Sequence, residues 1–234
     1  QERSIIARGM GRSYGDSANA HLVLGTSYCN HFIDFDEQTG KLTAESGITL
    51  REILTVIVPK GWFLPVTPGT SYVTLGGAIA SDVHGKNHHI TGTFGQHVTS
   101  LNLVLGTEKL ITASKHKNAD LFHATCGGMG LTGVIISATI QLISIRSSFI
   151  NQKTIKADCI EAACELFEDN NDATYSVAWI DCLAKDKNLG RSVLMLGEHA
   201  KEGGLEIELK EPISVPFYTP STLLNSMTMK TFNT

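Results

Sequence analysis

A chain of 234 residues has room for one large domain or two small ones, each with a real core. With 42% apolar and 18% charged residues it has the make-up of an ordinary globular protein. A net charge of −4 and scattered Lys and Arg exclude the basic footprint of a nucleic-acid binder. No run approaches the roughly 18 apolar residues of a membrane span, and Gln1-Glu2-Arg3-Ser4 does not open a signal peptide. The five cysteines (Cys29, Cys126, Cys159, Cys164 and Cys182) are odd in number and contain no C-x-x-C pair. Neither a disulfide framework nor a zinc site is expected, and a reducing cytoplasm is.

In chain order, residues 4–7 are a short apolar run ending at Arg8-Gly9, the pattern of a strand feeding a glycine loop. Residues 31–35 and 41–46 read as two strands of a hairpin around the turn at residues 36–40. Thr49 with Glu52 three residues on is a capping box. Leu50, Ile53, Leu54 and Ile57 share one face of the helix that follows, and Pro59 and Gly61 end it. Thr74 is placed to cap a short helix over residues 75–82, and Asn118 another over residues 119–125. Residues 134–143 alternate like a strand. Past residue 147 the glycine content drops. There Asp158 is expected to cap a helix bearing Ile160, Ala163, Cys164 and Phe167, with Cys159 and Cys164 as packing residues. Residues 175–183 and 191–196 read as strands, and the tail from Lys210, with Pro212, Pro216 and Pro220, as an extended loop. The predicted class is α+β, with a glycine-rich domain over residues 1–146 and a second α+β layer over residues 147–234.

Four segments carry chemistry. The first is Ala7-Arg8-Gly9-Met10-Gly11-Arg12-Ser13-Tyr14-Gly15-Asp16-Ser17, whose glycines let the backbone form a nest of N–H donors suited to phosphate. Its G-x-G-x-x-x-G spacing is followed by too short a stretch for a Rossmann helix; a plain glycine turn is the competing reading. The second runs from Pro65 through Pro68-Gly69-Thr70 to Thr74-Leu75-Gly76-Gly77, where bare glycines at a helix start admit a flat ring or a diphosphate. Close helix–sheet packing would also explain them. The third, Ser81-Asp82-Val83-His84-Gly85-Lys86-Asn87-His88-His89, clusters titratable groups. A metal is the weaker reading, because only Asp82 stands near as an acidic ligand. A histidine beside a lysine suits the handling of a hydroxyl proton. The fourth, residues 126–135, places four glycines between a helix and a strand.

In this order the four segments resemble the vanillyl-alcohol-oxidase-type FAD-binding oxidoreductases, and more narrowly the decaprenylphosphoryl-β-D-ribose-oxidase-like family. The resemblance spans residues 4–146 and continues more thinly through Ala178-Trp179-Ile180-Asp181 and Leu189-Gly190-Arg191. It implies a two-subdomain FAD-binding domain of the PCMH type, incomplete at its N-terminus, followed by the start of an α+β substrate domain. Ala7 to Ser17 would wrap the FAD diphosphate. Gly69, Thr74, Leu75, Gly76, Gly77 and Ser81, Asp82 and His84 would contact the cofactor, and Gly133 and Ile135 would lie toward the adenine. Tyr14, His84 and Lys86 would act at the flavin and substrate. Many relatives attach the flavin to a histidine where this chain has Arg12, so non-covalent FAD is implied. The implied reaction is oxidation of a secondary sugar hydroxyl, on a polyprenyl-phosphate pentose. A short-chain reductase would complete the epimerisation, and contact with a membrane would be peripheral. Rivals are an alditol or sugar-lactone oxidase, a non-catalytic flavin-binding module and a nicotinamide dehydrogenase.

Overall fold

The computed structural model describes residues 4–207, 225 and 227–229. These fall into two units: one runs to Ser148 and also takes Lys201–Ile207, the other contains Phe149–Ala200.

In the first unit, β1 (Ile5–Arg8) and β2 (Leu22–Gly25) pair in parallel, Ile5 beside Leu22 and Arg8 beside Gly25. A parallel pair needs a crossover of about a dozen residues, and residues 9–21 supply it. The first glycine segment is thereby kept out of the strand ladder. β3 (Phe32–Asp36) and β4 (Lys41–Glu45) form the expected hairpin. The Asp36 carboxylate accepts from the Thr39 hydroxyl at 2.6 Å and from the Gln38 and Thr39 amides at 2.9 and 3.2 Å. Those bonds, the Thr39 hydroxyl foremost, hold it below the ordinary carboxylate range.

α1 (Leu50–Ile57) starts on the capping box as read: the Glu52 amide donates to the Thr49 hydroxyl and the Thr49 amide to the Glu52 carboxylate. It buries Leu50, Ile53, Leu54 and Ile57, and ends through a 3-10 turn at Val58–Lys60 into Gly61, whose φ is 79°. β5 (Trp62–Phe63), α2 (Leu75–Ala80), α3 (His88–Thr91), β6 (Val98–Val104), β7 (Leu110–Ser114), α4 (Ala119–Thr125), β8 (Val134–Gln141) and β9 (Ile143–Ser144) follow. A five-stranded sheet has the order β3-β4-β8-β6-β7, all neighbours antiparallel, and β5 pairs with β9. The core lies between this sheet (Leu42, Leu101, Leu103, Ile140) and the helices (Ile53, Ile57, Leu75, Ile79, Phe122).

The start and end of two helices differ from the sequence expectation. α2 stops at Ala80, because Asp82 turns left-handed (φ 40°) and its carboxylate accepts from the Gly95 amide at 2.7 Å. Asn118 does precede α4 but does not cap it with its side chain. It is left-handed (φ 51°) and its amide group donates to the Thr112 carbonyl at 2.9 Å, tying α4 to β7.

In the second unit, β10 (Ile150–Ala157), β11 (Tyr175–Ile180) and β12 (Ser192–His199) form an antiparallel sheet of order β10-β12-β11. α5 (Ile160–Asp169) lies against it, with Ala163, Ala157, Leu194 and Leu196 buried. Its N-cap is Cys159 rather than Asp158, and Cys164 is exposed rather than packed. The β11 strand ends three residues short of the expected bound. Asp181 instead accepts from Arg191 at 2.8 Å and from the Leu183 amide at 3.0 Å, which turns the chain. The tail from Lys210 to 224 lies outside the described residues. Among the described residues no helix is long and apolar enough to cross a membrane, and no cluster of His, Cys, Asp or Glu could hold a metal.

Candidate functional site

A cleft of about 660 Å³ opens within the first unit. Its walls are the crossover between β1 and β2, the chain around α2, and the turn between α4 and β8.

The crossover contributes charge and donors. None of the main-chain N–H groups of residues 9–18 donates to a protein acceptor among the described bonds. Gly11 and Gly15 adopt φ of 60° and 64°, which a residue with a Cβ adopts only under strain. Arg8 folds back so closely that a Cβ on Gly11 would lie 2.8 Å from its guanidinium. Arg12 stacks on Tyr72, its guanidinium carbon 5.8 Å from the ring centroid. Two cations and a run of amides without a described partner suit this wall to an anion.

α2 contributes something different. Its first amides are all used internally: Leu75 donates to the Ile48 carbonyl at 2.8 Å, Gly76 to the Ser46 carbonyl at 2.8 Å, and Gly77 to the Thr74 hydroxyl at 3.1 Å. The helix end therefore has no N–H left for a phosphate. It offers a bare surface instead. Leu75, Ala78 and Ile79 face the core, while Gly76, Gly77 and Ala80 line the cleft with no side chain larger than a methyl. Gly9 packs on the start of this helix, where a Cβ would lie 2.3 Å from the Thr74 hydroxyl oxygen.

The turn after α4 closes the far end of α2. Gly127 and Met129 donate to the Ile79 and Ala80 carbonyls at 3.1 and 2.8 Å, satisfying groups a helix C-terminus leaves open. Both donors take left-handed backbone, Gly127 at φ 83° and Met129 at φ 52°.

The structure gathers most of the residues singled out in the sequence. Ala7 through Tyr14, Ser17, Gly69, Thr74, Gly76, Gly77, Ser81, His84, Gly133 and Ile135 all line the cleft. Gly15, Asp16, Leu75, Asp82 and Lys86 do not; Leu75 is wholly buried in the core and Asp82 is turned to Gly95. Tyr14 is 98% exposed at the rim. His84 is held by a main-chain bridge to Thr93, and its ring meets that of His88 edge-on at 5.8 Å. Asn87, 1% exposed, anchors this loop by donating to the Pro65 carbonyl at 2.7 Å. Sequence reasoning missed Thr26 and Ser46, which also line the cleft; each sits beside a strand end and belongs to no motif.

Cys126 follows α4, just before the turn that closes the far end of α2. Burial, helped by the Asp82 carboxylate, pushes its thiol up to about 11. At pH 8 only about one thiol in a thousand would be ionised, and the thiolate is the reactive form. Exposed Cys164 and Cys182 are therefore expected to react with iodoacetamide at least about tenfold faster, as read by peptide mass mapping over time. Equal rates would show that Cys126 is neither buried nor suppressed.

Comparison with known proteins agrees with this architecture. Residues 1–114 match the FAD binding domain family. The chain is 36% identical to decaprenylphosphoryl-β-D-ribose oxidase of Mycolicibacterium smegmatis over 97% of its own length and 52% of that protein's. It is 30% identical to L-gulonolactone oxidase 5 of Arabidopsis thaliana over 53% of its length and 22% of that protein's. With the human Delta(24)-sterol reductase it shares 25% identity over 58% of its length. The chain spans about half the length of the first of these relatives, and less of the others. The first half of the chain thus carries an FAD binding domain, and nearly all of its length is similar to decaprenylphosphoryl-β-D-ribose oxidase. FAD is accordingly its cofactor, and the cleft suits a dinucleotide: open amides and arginines for the phosphates, bare glycine walls for flat rings.

Proposed function

We propose that the chain is the flavin-binding part of an FAD-dependent oxidoreductase that oxidises a secondary hydroxyl of a sugar, a polyprenyl-phosphate pentose, as the oxidase half of a 2′-epimerisation. The observation that carries the reading is the division of amides around the cleft. Those of α2 are spent on the protein, and those of residues 9–18 donate to no acceptor among the described residues. A diphosphate would therefore be bound by the crossover, with Arg8, Arg12 and Ser13, and the flat parts of the cofactor by the glycine faces of α2 and of the turn after α4. Bound FAD supplies the electron sink. His84 manages the proton of the substrate hydroxyl and Tyr14 shapes the rim; exposed Lys86, outside the cleft lining, would orient only substrate groups that extend beyond it. A short-chain reductase would take the product, and a polyprenyl substrate would bring the protein into peripheral contact with a membrane from the cytoplasm.

Arg12 replaces the nucleophile a covalent flavin link would use, so FAD is expected to be held without a bond. The test is the visible spectrum of the purified full-length protein, repeated on the supernatant after acid precipitation. Flavin absorbance that moves wholly to the supernatant is the expected result. Colour kept in the pellet would refute the non-covalent assignment, and a colourless full-length protein would refute the proposal. The likeness to a gulonolactone oxidase makes a sugar lactone the control substrate: faster flavin reduction by the lactone than by a polyprenylphosphoryl ribose would exchange one substrate class for the other.

A further inference from the structure

We infer that Ser46 is a ligand-contacting residue, whose hydroxyl is the hydrogen bond that the floor of the cleft gives to an oxygen of the bound dinucleotide. The inference rests on the FAD reading above. Ser46 follows β4, is 2% exposed, and lines the cleft. Both of its main-chain groups are spent: its amide donates to the Ile136 carbonyl at 2.9 Å, and its carbonyl accepts from the Gly76 amide at 2.8 Å. Its place is fixed from the helix side, because a Cβ on Gly76 would lie 2.8 Å from the Ser46 Cβ. Only the hydroxyl remains, and it has no partner among the described residues.

A buried hydroxyl without a partner costs free energy that an alanine at the same place would avoid. The cost is recovered when something in the cleft accepts the bond. Tyr72 and Asn87 also bury an unpartnered oxygen, but neither lines the cleft. The neighbouring amides of Leu75, Gly76 and Gly77 are already engaged. On this stretch of wall the Ser46 hydroxyl is thus a donor left wholly without a partner for a ligand to take. Its chemistry suits a phosphate or hydroxyl oxygen, both of which a flavin dinucleotide presents.

The test uses full-length protein freed of FAD, with Ser46→Ala and the near-isosteric Ser46→Cys. FAD affinity is read by titration with flavin fluorescence, and stability of the cofactor-free form by thermal unfolding. The two readouts are expected to move in opposite directions. Both variants lose about tenfold in affinity, the size of one ordinary hydrogen bond. The cofactor-free Ser46→Ala protein melts at the same temperature as wild type or higher, since it has lost an orphaned group. Wild-type affinity in both variants overturns the inference. So does a fall in affinity matched by a fall in the cofactor-free melting temperature, which marks a purely structural residue. A wild-type protein that fails to bind FAD sinks the underlying cofactor reading, which separates that failure from this one.

Discussion

Gly9→Ala is expected to cost the full-length protein about 1–3 kcal/mol, the usual range for overfilling a packed site, and to weaken FAD binding by tenfold or more. The added methyl would fall 2.3 Å from the Thr74 hydroxyl oxygen and 2.8 Å from its Cγ2. Thr74 cannot easily yield. It is 3% exposed, and its hydroxyl caps α2 by accepting from the Gly77 amide. Either the cap breaks or the crossover lifts off the helix, and both displace the wall that carries the open amides. The partner substitution Thr74→Ala removes the two atoms in conflict and costs the cap, about 0.5–2 kcal/mol. Combined, the two substitutions should therefore cost less than the sum of their separate effects. Thermal unfolding and FAD titration of the four proteins of this cycle give the measurement. Simple additivity would mean that the crossover does not press on α2, and that the first glycine is there for another reason.

The sequence shows local structure well and its long-range partners poorly. The α1 capping box, the hairpin turn at Asp36 and the bare face of α2 rest on residues within a few positions of each other, and each is legible. β6 and β7 are not. Their polar residues look like loop until the strands are side by side. Then Asn102 donates to the Ser137 hydroxyl at 3.0 Å and accepts from Thr112 at 2.9 Å, a polar ladder across β8, β6 and β7. β6 also carries two register irregularities, which break its alternation. The cleft follows the same division. Its glycine motifs announce themselves, while Thr26 and Ser46 enter through tertiary contacts alone. The start of α2 is the sharpest case. From sequence it looks like a helix end open to a phosphate, and the carbonyls that close it belong to Ser46 and Ile48, almost thirty residues earlier.

His84→Ala is expected to slow flavin reduction by substrate in the full-length protein by about 10²–10⁴-fold, the range a positioned acid–base group supplies. FAD affinity should change little, because the amides and arginines assigned to the phosphates are on another wall. The case for His84 is one of placement. Of the four residues Asp82, His84, Lys86 and His88, it alone lines the cleft. Its main chain is pinned to Thr93, its loop is tied to Pro65 through buried Asn87, and its ring rests against His88. A main chain held at these points sets where the imidazole projects, which is what orientation contributes to rate. Rapid-mixing measurement of flavin bleaching with a polyprenylphosphoryl ribose reads the effect. A loss below about tenfold would take the proton-handling role away from His84 and leave it a wall of the pocket.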